Sequence, residues 1–167
     1  MIVVVMGVSG SGKSTIGALL AAHLSWEFLD ADEFHPSENV AKMSAGTPLE
    51  DADRWPWLER LNEELRQRTN AVLACSALKE SYRQVLCKDV DCRIVHLRGD
   101  LKLLRARLQE RKHRYMPASL LESQFAALEP PAGAIDVDVA RPVEECIADV
   151  IAALVGQGAG TRCHSNP

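Results

Sequence analysis

The sequence predicts an α/β fold in which helices lie on both faces of a central parallel sheet. Short apolar runs alternate with helical patterns along the chain, and this order is typical of parallel sheets. A glycine-rich loop separates the first run from the first helical pattern, and polar residues follow several later runs. In open parallel sheets, ligands bind beyond the carboxyl ends of the strands. We therefore expect these polar residues to meet at one edge of the sheet.

Each predicted strand is a short apolar run of four to five residues, many of them β-branched. Such runs are too short for helices and have the composition of buried strands. The second run ends in an acid, and the third is apolar throughout. The predicted strands are Ile2–Met6, Glu27–Asp30, Ala71–Cys75, Arg93–Leu97 and Ala134–Asp138.

The predicted helices either have apolar residues on one face or begin with residues that favour the first turn of a helix. Leu58, Leu61 and Leu65 share one face, and Pro56 falls in the first turn of that helix, where proline is tolerated. Asp51 or Asp53 is the expected N-cap. The predicted helices are Lys13–Leu24, His35–Ser44, Asp53–Arg68, Lys79–Leu86, Leu101–Arg111, Pro117–Leu128 and Pro142–Val155.

Length and composition favour one compact domain that binds neither nucleic acid nor a membrane. The chain has 167 residues, a length that suits a single domain. We assign that domain to residues 1–155 and predict that the glycine-rich tail, 156–167, is disordered. The net charge of −4 gives no broad basic face. No signal peptide or membrane-spanning stretch is expected, and five cysteines without C-x-x-C spacing suit a reducing, cytoplasmic location.

The loop Gly7–Ser14 carries the strongest functional signal. It fits the phosphate-binding pattern G-x-x-x-x-G-K-[ST], and it lies between a predicted strand and a predicted helix, as that pattern requires. Glycines let backbone N–H groups close around phosphate oxygens at the helix N-terminus. Lys13 can reach the β- and γ-phosphates, and the Ser14 hydroxyl can bind Mg²⁺. The alternative is a glycine- and serine-rich turn that matches by chance.

Two acids, Asp30 and Asp32, follow the second predicted strand. Because they alternate, both could face one cleft in an extended segment. Phosphoryl transfer needs a carboxylate that assists the metal and a group that orients or deprotonates the nucleophile. The alternative is a helix N-cap or a solvated loop.

Other polar residues near the predicted strand ends are candidates for contact with the second substrate. Arg54 has the planar guanidinium that pairs with a carboxylate or phosphate; otherwise it is a surface arginine. His35 could hydrogen-bond a polyol, or it could be a capping or buried histidine. Ser76 could cap the next helix and Lys79 could be solvated, but both follow the central strand, where substrates bind.

Arginines cluster between Arg105 and Arg114. In isolation they could attract nucleic acid. In a small nucleotide-binding protein they more often form a mobile lid that supplies positive charge to the transferred phosphoryl group. Arg107 and Arg111 are one helical turn apart and could act together, whereas Arg105 is expected at the surface.

The chain resembles the bacterial-type gluconokinases, within the shikimate kinase-like P-loop kinases, over nearly its whole length up to Val155. The loop is generic, whereas the stretches from Pro48 to Leu58, Cys75 to Arg83 and Gln124 to Pro130 are specific to that family. The matching residues are Met6–Ser14, Leu29–Asp32, His35-Pro36, Asn39, Lys42-Met43, Gly46, Pro48-Leu49, Asp51–Arg54, Pro56–Leu58, Cys75–Lys79, Tyr82-Arg83, Arg107, Arg111-Lys112, Ser123–Phe125 and Leu128–Pro130.

The resemblance implies a three-layer α/β/α sandwich with an arginine-bearing lid at about residues 105–125. It also implies ATP- and Mg²⁺-dependent phosphorylation of the 6-hydroxyl of D-gluconate, which feeds 6-phosphogluconate into the pentose phosphate pathway. Related enzymes are often homodimers. The alternatives are a kinase for shikimate or another small sugar acid, or a nucleotide-dependent switch without turnover.

The same resemblance assigns roles to individual residues. Either Asp30 or Asp32 could be the base; Arg107 would cover adenine and Arg111 the phosphates. The implied ATP-binding residues are Gly7, Ser9, Gly10, Ser11, Gly12, Lys13, Ser14, Thr15, Arg107 and Arg111. The implied catalytic residues are Lys13, Asp30, Asp32 and Arg111; the implied metal ligands are Ser14 and Asp30. The implied gluconate-binding residues are Asp32, His35, Arg54, Ser76 and Lys79.

The lid departs from the family pattern at one point. The family usually has a Gly-His pair after the Arg-Lys of the lid, whereas here Lys112 is followed by His113-Arg114. The histidine is displaced by one position and an arginine fills its place, so lid closure could differ.

Overall fold

A computed structural model describes residues 1–110 and 118–158 of the chain. In these residues five parallel strands form one sheet with the order β2-β3-β1-β4-β5. The strands are β1 (Ile2–Met6), β2 (Glu27–Asp30), β3 (Ala71–Ala74), β4 (Cys92–Arg98) and β5 (Ile135–Asp138). The predicted parallel α/β fold is confirmed, and no strand end differs from its prediction by more than one residue.

Helices follow the strands as predicted, and a 3-10 turn, Ala31–Phe34, follows β2. The seventh helix continues to Gly158, past the predicted end at Val155. Arg111 and the other predicted lid residues up to Pro117, like the tail residues 159–167, lie outside the described residues. The helices are α1 (Lys13–Leu24), α2 (Ser37–Ser44), α3 (Asp51–Arg66), α4 (Glu80–Leu86), α5 (Leu101–Glu110), α6 (Ala118–Ala127) and α7 (Val143–Gly158).

The strand β1 is the centre of the fold, and both of its faces are buried. Val3 and Val5 pack with residues of α1 and α7 on one side of the sheet. Ile2, Val4 and Met6 pack with residues of α3 and α4 on the other. A strand covered on both faces is apolar throughout rather than alternating, which explains the uninterrupted run IVVVM. The three-layer sandwich follows from this two-sided burial.

The strand order reverses between β1 and β3, and this places the site. From β1 the chain crosses over β3 to form β2, and from β3 it crosses over β1 to form β4. A crevice at the carboxyl ends of the strands forms at such a switch point. Asp30 pairs with Ala74, which in turn pairs with Val5. Asp30 therefore lies level with the end of β1, where the glycine loop begins.

The start of α3 differs from the prediction. Glu50 is the N-cap, and Asp53 occupies the third helical position. The Glu50 side chain accepts from the Asp53 backbone, and the Glu50 N–H donates to Asp53 Oδ2 at 2.9 Å, which is a capping box. The assignment of Asp51 or Asp53 as N-cap is therefore wrong, because this reciprocal pair begins the helix two residues earlier than predicted.

Across the described residues, no helix is long and apolar enough to span a membrane.

Candidate active site

The glycine loop connects β1 to α1, and its backbone geometry requires glycine, as Gly12 and Gly7 show. Gly12 is the N-cap of α1 with a left-handed φ of 91°, a conformation that glycine adopts without steric cost. A Cβ on Gly7 would lie 2.8 Å from Ser11 Oγ and 2.9 Å from the Leu97 carbonyl oxygen. Ser11 Oγ is buried and has no hydrogen-bond partner among the described residues. The loop thus closes tightly and leaves a polar hydrogen-bonding group unsatisfied.

The first two residues of α1 point their polar ends toward the loop and β2. Lys13 Nζ donates to the Val8 carbonyl oxygen at 3.1 Å, which folds its side chain over the loop. Ser14 Oγ donates to Asp30 Oδ2 at 2.7 Å. The other Asp30 oxygen, Oδ1, accepts from the Asp32 N–H at 3.1 Å and caps the 3-10 turn. Asp30 is therefore the N-cap of the 3-10 turn, and it is also the partner of Ser14, so both interpretations of this acid in the sequence apply.

The loop and the acids line one cavity of about 130 Å³. Its members come from the loop, the start of α1, the ends of β2 and β3, the 3-10 turn after β2, and α5. The lining residues are Ser9, Gly10, Gly12, Lys13, Ser14, Thr15, Asp30, Asp32, Ala74 and Leu108.

A second cavity, of about 280 Å³, lies on the other side of the loop. Ser11, Gly12 and Thr15 line it together with Arg107, whose Nη2 donates to the Val139 carbonyl oxygen at 2.6 Å. Arg107 thus shares this cavity with residues of the loop, and its contact with adenine stays a prediction. Arg105 instead forms an ion pair with Glu122 of α6.

His35 is held against an aromatic ring close to Asp32. Its imidazole stacks on Trp57 with ring centroids 4.1 Å apart, and Trp57 Nε1 donates to the Ala31 carbonyl oxygen at 2.9 Å. Burial lowers the pKa of His35, although Asp32 raises it. The His35 Nε2 atom lies 3.9 Å from Asp32 Oδ1. A neutral imidazole beside a carboxylate can donate one hydrogen bond to a hydroxyl or accept one from it.

Arg54 and Lys79 meet at one aromatic ring. Both cations make cation–π contacts with Tyr82: the Arg54 guanidinium carbon and Lys79 Nζ each lie 5.4 Å from the centre of its ring. Lys79 Nζ donates to both carboxylate oxygens of Asp51, at 2.7 and 2.9 Å, and Tyr82 Oη donates to Asp51 Oδ1 at 2.5 Å. The hydrogen bonds from Lys79 and Tyr82 lower the pKa of Asp51. This acceptor cluster of Asp51, Arg54, Lys79 and Tyr82 joins α3 to α4.

The buried thiol of Cys75 shows that the two sides converge. Burial raises the pKa of Cys75 to about 12, and the charges of Lys13, Asp32 and Arg54 also act on it. Lys13 and Asp32 also line the loop cavity with Ala74, the last residue of β3, and Ser76, two residues further on, is partly buried. Lys79, not Ser76, is the N-cap of α4, so the capping alternative for Ser76 is wrong.

Several residues at this edge of the sheet were not predicted as site residues from the sequence. Asp51 was interpreted as a helix cap, and Tyr82 and Trp57 were interpreted only as family-specific or core residues. Gln124 Oε1 accepts from the Ser9 N–H at 2.7 Å across 115 positions of sequence. Tyr82 lies one turn after Lys79, a spacing that could have paired the two. No local pattern in the sequence indicates the Gln124 contact.

The site fits a divalent cation held mainly by phosphate and water. No cluster of three or more histidine, cysteine or acidic ligands exists among residues 1–110 and 118–158. Mg²⁺ usually takes one or two protein oxygens together with substrate phosphates. Ser14 Oγ and Asp30 Oδ2 are two such oxygens at 2.7 Å from each other.

A glycine loop, a hydroxyl–carboxylate pair and an acceptor cluster at one switch point define a P-loop kinase. A family model described as shikimate kinase matches residues 9–126. Shikimate kinase from Aquifex aeolicus vf5 shares this fold, with a TM-score of 0.61 at 20% identity over 96% of this chain and 100% of that chain.

Closer relatives specify the family. Thermosensitive gluconokinase from Escherichia coli K12 is 43% identical, covering 89% of this chain and 87% of that protein. A probable gluconokinase from Xenopus tropicalis is 48% identical, covering 83% and 86%. A gluconokinase structure from Sinorhizobium meliloti 1021 superposes with a TM-score of 0.88 at 41% identity, covering 97% of each chain. The chain belongs to the gluconokinase family, as its resemblance indicated.

Proposed function

We propose that this protein transfers the γ-phosphoryl group of ATP to the 6-hydroxyl of D-gluconate, giving 6-phospho-D-gluconate and ADP. The observation that carries the proposal is the position of Asp32. It lines the loop cavity with Lys13 and Ser14, and it lies 3.9 Å from His35 on the acceptor side. A carboxylate between a phosphate loop and a polar pocket is where a kinase must hold its acceptor hydroxyl.

On the donor side, the loop N–H groups and Lys13 bind the phosphates, and Ser14 and Asp30 would hold Mg²⁺. When bound, the metal neutralises charge on the phosphate oxygens. Thr15 and the loop residues that line the two cavities complete the nucleotide site, and Arg107 covers the base. The role of Arg111 at the phosphates stays a prediction.

On the acceptor side, Asp32 is the better candidate for the base. Asp30 Oδ2 accepts from Ser14 Oγ beside the glycine loop, whereas Asp32 Oδ1 faces His35 Nε2 at 3.9 Å on the other side of the cleft. Asp30 is therefore suited to the metal, whereas the Asp32 carboxylate orients the 6-hydroxyl and accepts its proton.

The remaining acceptor residues recognise the sugar acid. The planar fork of Arg54 can bind the carboxylate with two parallel hydrogen bonds, and Lys79 beside it adds a second positive charge. The pKa of His35 is lowered by burial, so its neutral imidazole can hydrogen-bond a sugar hydroxyl at pH 7. Ser76, at the end of β3, supplies a further hydroxyl.

The setting of the enzyme is also part of the proposal. We infer a cytoplasmic homodimer that feeds the pentose phosphate pathway and binds no nucleic acid, in line with its net charge of −4. Light scattering coupled to size-exclusion chromatography tests the dimer, and a monomeric mass at micromolar concentration would contradict it.

A coupled ADP-release assay tests the reaction. Gluconate, shikimate, glycerate and nucleoside monophosphates are offered in turn with MgATP. We expect turnover with gluconate to exceed that with the others by at least about 10²-fold, since an acceptor lacking the matched hydroxyls leaves polar groups of the site unpaired. Turnover on another acceptor without turnover on gluconate overturns the substrate. Binding of ATP without turnover on any acceptor favours the switch alternative.

A further inference from the structure

A short segment running from α6 into the following loop contacts both sides of the cleft. Gln124 Oε1 accepts from the Ser9 N–H at 2.7 Å. Glu129 Oε2 accepts from the Glu80 N–H at 2.6 Å, and the Glu129 N–H donates to the Leu78 carbonyl oxygen at 2.9 Å. We call residues 124–129 the strap, because they bond to the phosphate loop at one end and to the start of α4 at the other.

At its first end the strap bonds to a residue that lines the loop cavity. Ser9 lines that cavity together with Lys13, Ser14 and Asp32. The bond from its N–H to Gln124 is partly buried, so water competes with it only weakly. The Gln124 amide is neutral, and it fixes the loop without adding negative charge where phosphates bind. A carboxylate at the same position would keep an acceptor but repel them.

At its second end the strap holds the residues on either side of Lys79. Leu78 and Glu80 flank Lys79, and both are bonded to Glu129. The Glu80 N–H is one of the backbone donors that a helix start leaves without an intrahelical partner, and a carboxylate there is also favoured by the helix dipole. The turn before α4 is thereby fixed at the point from which Lys79 extends.

Arg83 fixes the same turn from inside the protein. This arginine is buried, and its Nη1 donates to the carbonyl oxygens of Ala77 at 2.9 Å and Leu78 at 3.1 Å. Ala77 has a φ of 42°, which a residue with a side chain rarely adopts without support. With Arg83 on one side and Glu129 on the other, the turn is held in one conformation.

We propose that Gln124 and Glu129 are positioning residues, and that the strap sets the placement of the phosphate loop relative to Lys79. The inference rests on the proposed function, because it treats Lys79 as part of the acceptor site. Neither residue lines the cavity that contains Lys13, Ser14 and Asp32. A shift of about 1 Å between donor and acceptor can lower the rate of transfer by about 10²-fold, so this spacing matters for turnover.

The first test concerns Gln124. Gln124→Leu keeps the approximate volume and removes the acceptor, and Gln124→Glu keeps an acceptor oxygen. Ser123→Ala is the control because Ser123 Oγ donates within α6, to the Leu120 carbonyl oxygen. We expect Gln124→Leu to lower kcat about 10- to 100-fold, to change the gluconate KM by less than about 3-fold, and to speed amide hydrogen exchange at Ser9 in the nucleotide-free protein. Gln124→Glu should retain protection of that amide, and Ser123→Ala should match the parent.

The second test is a double-mutant cycle with Glu129→Ala. We expect Glu129→Ala alone to raise the gluconate KM about 3- to 10-fold, and the combined loss in kcat/KM to be smaller than the product of the single losses, because coupled residues are not additive. The proposal is overturned if the single losses in kcat/KM multiply in the double mutant, or if Gln124→Leu leaves kcat unchanged.

The amide measurement separates this inference from the proposed function, since it needs no sugar. Unchanged exchange at Ser9 in Gln124→Leu overturns the strap even in an active gluconate kinase. The enzyme could instead show Gln124-dependent protection of the Ser9 amide and non-additive losses in kcat/KM with an acceptor other than gluconate. That result would support the strap and overturn only the assignment of gluconate as substrate.

Discussion

The donor side of the cleft presents backbone groups, whereas the acceptor side presents charged side chains that already have partners. The loop bends tightly at Gly7 and Gly12, and inside it the Ser11 N–H donates to the Val8 carbonyl oxygen at 3.2 Å. On the acceptor side, Lys79 is bonded to Asp51 and Lys42 is bonded to Asp53 at 2.6 Å. The shape of the donor side therefore depends mainly on the backbone of one loop, whereas the shape of the acceptor side depends on ion pairs between side chains of different helices.

The two sides also differ in how far their residues are separated along the chain. The loop occupies eight consecutive residues, Gly7–Ser14. The acceptor side collects residues from three places: His35 after the 3-10 turn, Arg54 in α3, and Lys79 and Tyr82 at the start of α4. A contiguous motif folds with its own backbone, whereas a distributed site depends on helix packing. Substitutions at the boundary between the two sides should therefore lower the rate of phosphoryl transfer, whereas substitutions in the acceptor cluster should weaken substrate binding.

Asp32→Asn should cause the largest loss, because Asp32 lies between the two sides. We expect kcat to fall about 10³-fold or more, within the range for removal of a general base, with MgATP affinity almost unchanged. Steady-state kinetics and nucleotide titration measure the two quantities. Glu33→Gln, at the exposed neighbouring carboxylate on the same turn, is the control and should behave as the parent. Residual activity above about a tenth of the parent's would remove Asp32 from the chemistry.

Arg54→Lys should come next, and its effect should fall on gluconate. Lysine keeps the charge but loses the planar fork that binds a carboxylate bidentately. We expect the gluconate KM to rise about 10- to 100-fold, equivalent to about 1.4 to 2.7 kcal/mol, with kcat reduced far less. Arg60→Lys, on the same helix but over the Phe34 ring, is the matched control. An unchanged KM in Arg54→Lys would place the carboxylate elsewhere.

Asp51→Asn should have a smaller effect, which appears in stability against pH. Hydrogen bonds from Lys79 and Tyr82 hold the pKa of Asp51 below its ordinary value of 3.8. Its stabilising contribution is therefore present above about pH 4 and is lost as the pH falls through the lowered pKa. We expect Asp51→Asn to flatten the acid side of the unfolding-temperature profile.

Thermal unfolding between about pH 2.5 and 7 measures that profile. Glu63→Gln, at an exposed carboxylate on the same helix, should leave it as in the parent. Parallel profiles for Asp51→Asn and the parent would mean that the Asp51 pair does not stabilise α3 against α4.

Alkylation of Cys87 should have the least effect on turnover, because it lies at the far end of α4 from Lys79. Cys87 is only partly buried, and its hydrogen bond with Cys92 lowers the pKa of Cys87 and raises that of Cys92. Burial raises the pKa values of Cys75 and Cys146. Thiolates are the reactive form. Among the cysteines of the described residues, Cys87 should therefore react first with iodoacetamide at pH 7.

Peptide mapping by mass spectrometry identifies the labelled thiol, and Cys87→Ser is the control. Turnover should remain within about 2-fold of the unlabelled enzyme if the start of α4 alone sets the position of Lys79. Preferential labelling of Cys75 would contradict the burial of the thiol beneath the cleft.

Local sequence determined the donor side and the order of the elements. The pattern of Gly7–Ser14, the apolar run of β1 and the alternation of strand and helix patterns sufficed, because strand burial and loop curvature depend on nearby residues. The position of Asp30 and Asp32 also followed, since acids after a parallel strand lie at its carboxyl edge.

Only the tertiary structure decided which residues complete the site and which bonds hold it. The pairing of Asp51 with Lys79 and Tyr82, the stacking of His35 on Trp57, and the Ser9–Gln124 bond join residues between 22 and 115 positions apart. The start of α3 was also decided there, by reciprocal bonds between Glu50 and Asp53. Contacts of this kind depend on how whole helices pack against the sheet, and no pattern in a single stretch of the sequence contains that information.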